Sequence, residues 1–178
     1  MVRQVLIKPP LTEALVRSLK AGDEVTITGE AFAARDIAHK RMCEAIDKGE
    51  SLPFEPAGAV IYFLGPTIAR FGRVIGAAGP TTSSRMDAFS PKLIAAGLRA
   101  MIGKGYRGAE VREALKKYGA VHLSALGGAG ALLSKHIVAC EVIAYEDLGA
   151  EAVRRLTVVD FPTIVAYDSH GGTIYKEL

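Results

Sequence analysis

Nine consecutive residues, Gly79-Pro80-Thr81-Thr82-Ser83-Ser84-Arg85-Met86-Asp87, set four hydroxyls, a guanidinium and a carboxylate behind a Gly-Pro hinge. Small residues let a ligand come close to the backbone. Hydroxyls and free N–H groups hydrogen-bond to an oxyanion. The Arg85 guanidinium is a planar fork that matches a carboxylate or phosphate. The mixture reads as an anion-recognition loop. The alternative on pattern alone is a polar turn whose Ser and Thr cap the helix that follows. The Gly-Lys-Ser/Thr ending of a nucleotide phosphate loop is missing.

Two more cationic positions have a chemical context. Arg35-Asp36 lies where a strand gives way to a helix, with His39 one turn further on the same face as Arg35. Its alternative is a plain helix start, Asp36 suiting the dipole and Arg35 solvated. Lys104 stands between Gly103 and Gly105, which free it to point into a cleft or leave it in an exposed turn. If Arg35, Arg85 and Lys104 converge, they make a pocket for a small dianion, each charge-assisted bond contributing about 1.5–3 kcal/mol. Such a pocket supplies no strong base and no electrophile of its own. Thr82 and Asp87 flank the loop's arginine as further polar support.

Other motifs carry less. Gly127-Gly128-Ala129-Gly130 lacks the third glycine and the acidic partner of a dinucleotide fingerprint, and reads as close helix–strand packing. His122, His136 and His170 show no metal-ligand spacing and read as structural or surface residues. Cys43 and Cys140 stand alone among apolar neighbours and read as reduced thiols. Two cysteines fall short of the about four thiolates that normally hold an iron–sulfur cluster, so no metal site is expected in this chain.

The 178 residues suit one domain with a full core, here taken as 1–178. A net charge of +3 with scattered Lys and Arg argues against nucleic acid. The absence of an apolar run near about 20 residues argues against a membrane span, and the N-terminus has no signal-peptide layout, which favours the cytoplasm. Strands are expected at Gln4 to Ile7, Val25 to Gly29, Gly58 to Leu64, Val74 to Ala78, Ala120 to Ala125, Ile137 to Tyr145, Val158-Val159 and Pro162 to Ala166. Helices are expected after Thr12, from Asp36 to Lys48, after Pro91, over Gly108 to Tyr118, at Gly127 to Lys135 and at Gly149 to Leu156. The irregular alternation predicts a layered α/β domain with a mixed sheet.

Four blocks resemble the iron–sulfur class I fumarate hydratases: Ala34-Arg35-Asp36-Ile37-Ala38-His39-Lys40, Tyr62-Phe63-Leu64-Gly65-Pro66, the Gly79–Asp87 loop, and Ile102-Gly103-Lys104-Gly105. The ending Asp160-Phe161-Pro162-Thr163-Ile164-Val165, with Asp168 and Gly171, fits too. More narrowly the chain resembles the separate beta subunit, matching the C-terminal domain of single-chain members. The L-tartrate dehydratase beta subunit is a close relative of that group.

The resemblance implies a swivelling β/β/α domain. It implies that a four-iron–four-sulfur cluster sits on three cysteines of an alpha subunit, usually in an alpha2-beta2 assembly. It places Arg35, Arg85 and Lys104 on the substrate carboxylates and the Thr81 hydroxyl near the carbon-bound proton. An Asp of the partner chain is the opposing acid–base group. The expected activity is reversible hydration of fumarate to L-malate, a tricarboxylic acid cycle step, with the isolated chain inactive. Two other readings remain: an L-tartrate dehydratase beta subunit, and a stand-alone module that binds small dicarboxylates.

Overall fold

The computed structural model describes residues 2–176. Seven strands form one mixed sheet: β1 (Gln4–Ile7), β2 (Glu24–Ala33), β3 (Val60–Tyr62), β4 (Ala100–Gly103), β5 (Val121–Ser124), β6 (Ile137–Ala144) and β7 (Val153–Tyr167). Their order is β1-β2-β3-β4-β5-β7-β6, and β2 also pairs with β7. Strands β2, β3, β4, β5 and β7 therefore close into a five-stranded barrel, with β1 and β6 as flanking extensions. The β1–β2, β2–β3, β3–β4 and β4–β5 pairs are parallel, and β7 runs antiparallel to β2, β5 and β6. The expected mixed α/β class is what is observed.

Strand side chains alternate between two cores, as the two-residue repeat dictates. Val60 and Tyr62 of β3, Ala100 and Ile102 of β4, and Val121 and Leu123 of β5 fill the barrel with Ile27, Phe161 and Val165. Ile61, Phe63 and Met101 face outward, under the helices. Burial on both faces explains why the β3 segment reads as an unbroken apolar run. The outer layer is α2 (Asp36–Asp47), α3 (Ser90–Ala95) and α4 (Ala109–Tyr118), which contribute Ala38, Met42, Leu93, Ile94, Val111 and Leu115 to it. Helix α4 ends on Gly119 in the left-handed region at φ 67°, a conformation that suits glycine. The short α1 (Glu13–Ser18) is capped by the Thr12 hydroxyl, which accepts from Leu15 N at 3.2 Å. The one-turn α5 (Gly130–Leu133) is much shorter than the sequence suggests.

Three expectations fail locally. Val74 to Ala78 is not a strand: Ala77 N donates to Thr67 Oγ1 at 2.8 Å and Thr67 N to Ala77 O at 3.2 Å, closing the segment on itself away from the sheet. Gly149 to Leu156 is not a helix: a 3₁₀ segment, Glu146–Glu151, ends there and β7 begins at Val153. The two strands expected at 158–159 and 162–166 are one strand of 15 residues. It shifts register against β2 between Ile27 and Gly29, where Asp160 adopts φ 48° and its N–H donates to Thr28 Oγ1 at 2.9 Å. Pro162 and Asp160 look like strand breakers in sequence, yet β7 absorbs them at this irregularity. Among the described residues no helix is long and apolar enough to cross a membrane.

Candidate functional site

The C-terminal ends of the parallel strands β2, β3 and β4 bring the sequence motifs together. Arg35 follows β2, Gly65 follows β3 and Lys104 follows β4. In α/β folds, closed or open, ligands favour the C-terminal edge of the parallel strands. The Gly79–Asp87 loop is laid along it by its backbone. Thr81 N donates to Phe63 O at 2.8 Å and Ser83 N to Lys104 O at 2.8 Å, while Thr82 forms a parallel bridge with Lys104. The loop turns into a 3₁₀ segment, Ser83–Met86, that aims Arg85 back toward α2.

Asp36, in the first turn of α2, is the meeting point. Arg85 Nε donates to its Oδ1 at 3.0 Å and Arg85 Nη2 to its Oδ2 at 2.7 Å. Arg35 Nη2 lies 3.4 Å from the same Oδ2 and 3.1 Å from Glu151 Oε1. Arg35 Nε is buried without a partner among the described residues. Two guanidiniums, 50 residues apart in sequence, thus share one carboxylate. Arg85 is the outer of the two, with 52% of its side chain exposed against 21% for Arg35. Gly65 keeps room for the inner one, since a Cβ there would lie 2.9 Å from both Arg35 Cδ and Arg35 Nη1.

Lys104 shares backbone with the loop, but its side chain leans along Gly127, whose added Cβ would meet Lys104 Cδ at 3.5 Å. There it lines a cavity of about 780 Å³ with Gly127, Leu132, His136 and Ile164. The structure brings Arg35 and Arg85 onto one group, while the Lys104 side chain lies against Gly127 in the lining of that cavity. Thr81 is half-buried and Thr82 exposed.

His39 lies beneath the site, fully buried, donating from Nδ1 to Arg35 O at 2.7 Å and meeting Phe63 edge-on at 5.3 Å. Burial pushes its pKa down to about 4, against the upward pull of the Arg35 carbonyl, with nearby Arg107 adding to the fall and Asp36 opposing it. It is a neutral prop for the Arg35 backbone. Asp87 also faces inward: its Oδ1 accepts from Arg107 Nε at 2.7 Å and its Oδ2 from Gly108 N at 2.7 Å.

Arg107 escapes a reading based on motifs. Its side chain is fully buried, donates to Ser90 Oγ at 2.6 Å and His122 Nδ1 at 3.3 Å, and lies over the Phe63 ring at 5.3 Å. Burial lowers its pKa, opposed chiefly by Asp87. His122, buried beside it, is driven well below the usual histidine range by burial and then by the Arg107 charge. Arg107 fastens the end of the anion loop to the sheet; only its place three residues after Lys104 marks it in sequence. Glu151 escapes as well, hidden in a segment that reads as helix.

The described residues form no group of three or more His, Cys, Asp or Glu side chains able to hold a metal ion. Cys43 is buried and Cys140 half-buried, both free. Burial raises both thiols. These residues do not fit an iron–sulfur cluster.

The family described as "Fumarase C-terminus" matches residues 1–178. "Fumarate hydratase class I, aerobic" of Escherichia coli K12 is 33% identical over 179 residues, covering 98% of this chain and 33% of that protein. "Putative L(+)-tartrate dehydratase subunit beta" of Methanocaldococcus jannaschii is 38% identical over 174 residues, covering 94% of this chain and 89% of its own length. "Fumarate hydratase 2" of Leishmania major is 36% identical over 158 residues, 88% of this chain and 28% of that protein. The chain spans about a third of the length of the Escherichia coli relative.

Proposed function

The chain belongs to the fumarase C-terminus family, and from that premise we propose that it is the beta component of an iron–sulfur hydro-lyase acting on a small dicarboxylate. The substrate we infer is fumarate, hydrated reversibly to L-malate. One observation carries the reading: Arg35 and Arg85 already grip a carboxylate, that of Asp36, at the C-terminal edge of the parallel strands. A cradle that holds an internal carboxylate has the shape and charge to hold a ligand's.

The chemistry assigned to this chain is binding and charge stabilisation. Loss of a proton beside a carboxylate spreads negative charge onto that carboxylate. Guanidiniums fixed in advance stabilise it more than water does, because they need no reorganisation as the charge grows. Arg85, with its two-pronged geometry, sets the plane of the bound carboxylate. Arg35 neutralises it from the buried side. Lys104 takes the second carboxylate, its side chain leaving its place against Gly127 to do so. Thr81 is assigned to the carbon-bound proton; its ordinary hydroxyl is a poor base, and the acid–base pair is completed by an Asp of the partner chain. Such help is worth about 10²–10⁴-fold in rate.

This chain's residues do not fit the cluster, so it is assigned to the alpha partner, in an alpha2-beta2 assembly of the cytoplasm. The closed five-stranded barrel with helices on one side is assigned to the swivelling β/β/α type. A second reading, L(+)-tartrate dehydratase, is favoured by the 38% identity to the Methanocaldococcus jannaschii chain against 33% to the Escherichia coli enzyme. Anaerobic co-expression with the cluster-bearing partner, followed by assays on fumarate and L-tartrate, tests both. Turnover of fumarate by the assembly and none by the isolated chain is expected. Turnover by the isolated chain overturns the assignment, and preference for tartrate selects the second reading.

A further inference from the structure

Glu151 ends the 3₁₀ segment that precedes β7 and belongs to none of the motifs. Its Oε1 lies 3.1 Å from Arg35 Nη2. The charges thus form a chain, Glu151–Arg35–Asp36–Arg85, that runs from side chains about one-fifth exposed to the half-exposed Arg85. Two guanidiniums and two carboxylates sum to zero. An incoming dianion therefore meets a cradle whose positive charge is already matched.

The backbone that carries Glu151 is held without its side chain. Arg154 Nη2 donates to Gly149 O at 2.9 Å, and its Nη1 to Ala150 O at 2.9 Å and Ala152 O at 3.1 Å. A change at the Glu151 carboxylate alters the charge facing Arg35 and leaves this scaffold in place.

We propose that Glu151 is a specificity-determining residue for the dicarboxylate site: its carboxylate competes with the ligand's for Arg35. This rests on the dicarboxylate reading above. The effect is electrostatic. Partly buried charges a few ångströms apart act strongly on one another and are poorly screened by salt. With Glu151 ionised, a bound dianion is held by less net positive charge than the two arginines carry, so it binds and also leaves. With Glu151 neutral, the site gains one net positive charge and retains its ligand. That change acts on both carboxylates of a dianion and on the single one of a monoanion, so the dianion gains more.

The test uses the enzyme assembled with its cluster-bearing partner, kept anaerobic, with succinate and butyrate as unreactive probes. Inhibition constants are measured for wild type, Glu151→Gln, Glu151→Ala and Glu151→Asp. Glu151→Gln is expected to bind succinate about tenfold more tightly and butyrate about threefold. Glu151→Asp keeps the charge and stays near wild type. Thermal midpoints are read alongside, and the neutral variant that keeps the wild-type midpoint decides. Unchanged or weaker succinate binding in that variant overturns the proposal, as do equal shifts for succinate and butyrate. Failure of the dicarboxylate reading looks different: wild type itself ignores succinate, and Arg85→Ala changes nothing.

Discussion

Arg85 holds Asp36 through two parallel bonds, Nε to Oδ1 at 3.0 Å and Nη2 to Oδ2 at 2.7 Å. The two residues come from different halves of the outer layer, one from the anion loop and one from the first turn of α2. Lysine carries the same charge on a single point and cannot reproduce the two-pronged contact. Arg85→Lys in the assembled enzyme is therefore expected to lower kcat/KM about 10- to 100-fold, the loss of roughly 1.5–3 kcal/mol of charge-assisted bonding. Steady-state kinetics against fumarate measures it. A lysine variant within twofold of wild type removes the carboxylate fork from the argument.

Gly65 offers a probe of Arg35 that changes no charge. A methyl group there would crowd Arg35 Cδ and Nη1 at 2.9 Å and Ala150 O at 3.4 Å. The far end of a long side chain gives way before the backbone does. Gly65→Ala is expected to keep its thermal midpoint within a few degrees while kcat/KM falls about tenfold, since small displacements of an oriented group are costly to rate. Loss of the midpoint together with the activity makes Gly65 a packing residue instead.

Much of this site was legible in sequence because its groups carry distinctive chemistry at short range. The hydroxyl-rich loop, Arg35-Asp36 and Gly103-Lys104-Gly105 all lie at one edge of the sheet. What sequence could not convey is which charge meets which. Asp87 reads as polar support beside the loop's arginine, and both its oxygens are taken up by Arg107 and Gly108. Lys104 reads as converging with the arginines, yet its side chain leans on Gly127. The longest strand reads as two segments because Asp160 and Pro162 signal a turn, yet pairing with β2, which resumes at Phe161 and Pro162 beyond the register shift, overrides that local preference.

Two buried histidines set an acid limit on stability. The His39 pKa is lowered to about 4 and that of His122 falls well below its ordinary value, in each case chiefly by burial. The folded state therefore binds fewer protons than the unfolded chain, in which histidine titrates near ~6.5. The His39 contribution is complete above about pH 6.5 and is lost as the pH falls toward about 4, at up to about 1.4 kcal/mol per pH unit, and His122 acts in the same direction. Denaturant unfolding of the chain between pH 7 and pH 5 is expected to show this slope, and His39→Gln to reduce it. A flat profile across that window shows that the two histidines bind protons equally in the folded and unfolded states.

The Asp87–Arg107 pair makes the strongest stability prediction. The guanidinium is buried and the carboxylate about one-quarter exposed, so the pair sits where an unmatched charge is expensive. Asp87→Ala removes the anion and leaves Arg107 with Ser90 Oγ, His122 Nδ1 and the Phe63 ring as its neighbours. It also takes the acceptor from Gly108 N at the start of α4. A cost of about 3 kcal/mol is expected, at the lower end for a broken buried pair because of the partial exposure of Asp87. Asp87→Asn keeps one acceptor oxygen, for Arg107 or for Gly108 N but not for both, and should cost less than Asp87→Ala. Replacing both members, Asp87→Ala with Arg107→Met, removes the stranded charge and should recover part of the loss, since apolar packing can substitute for a buried pair. Urea unfolding of wild type, Asp87→Ala, Arg107→Met and the double variant gives the coupling energy directly. An Asp87→Ala cost below about 1 kcal/mol, with no recovery in the double variant, places the pair among ordinary surface contacts and leaves the anion loop to be held by its backbone bonds to Phe63 and Lys104 alone.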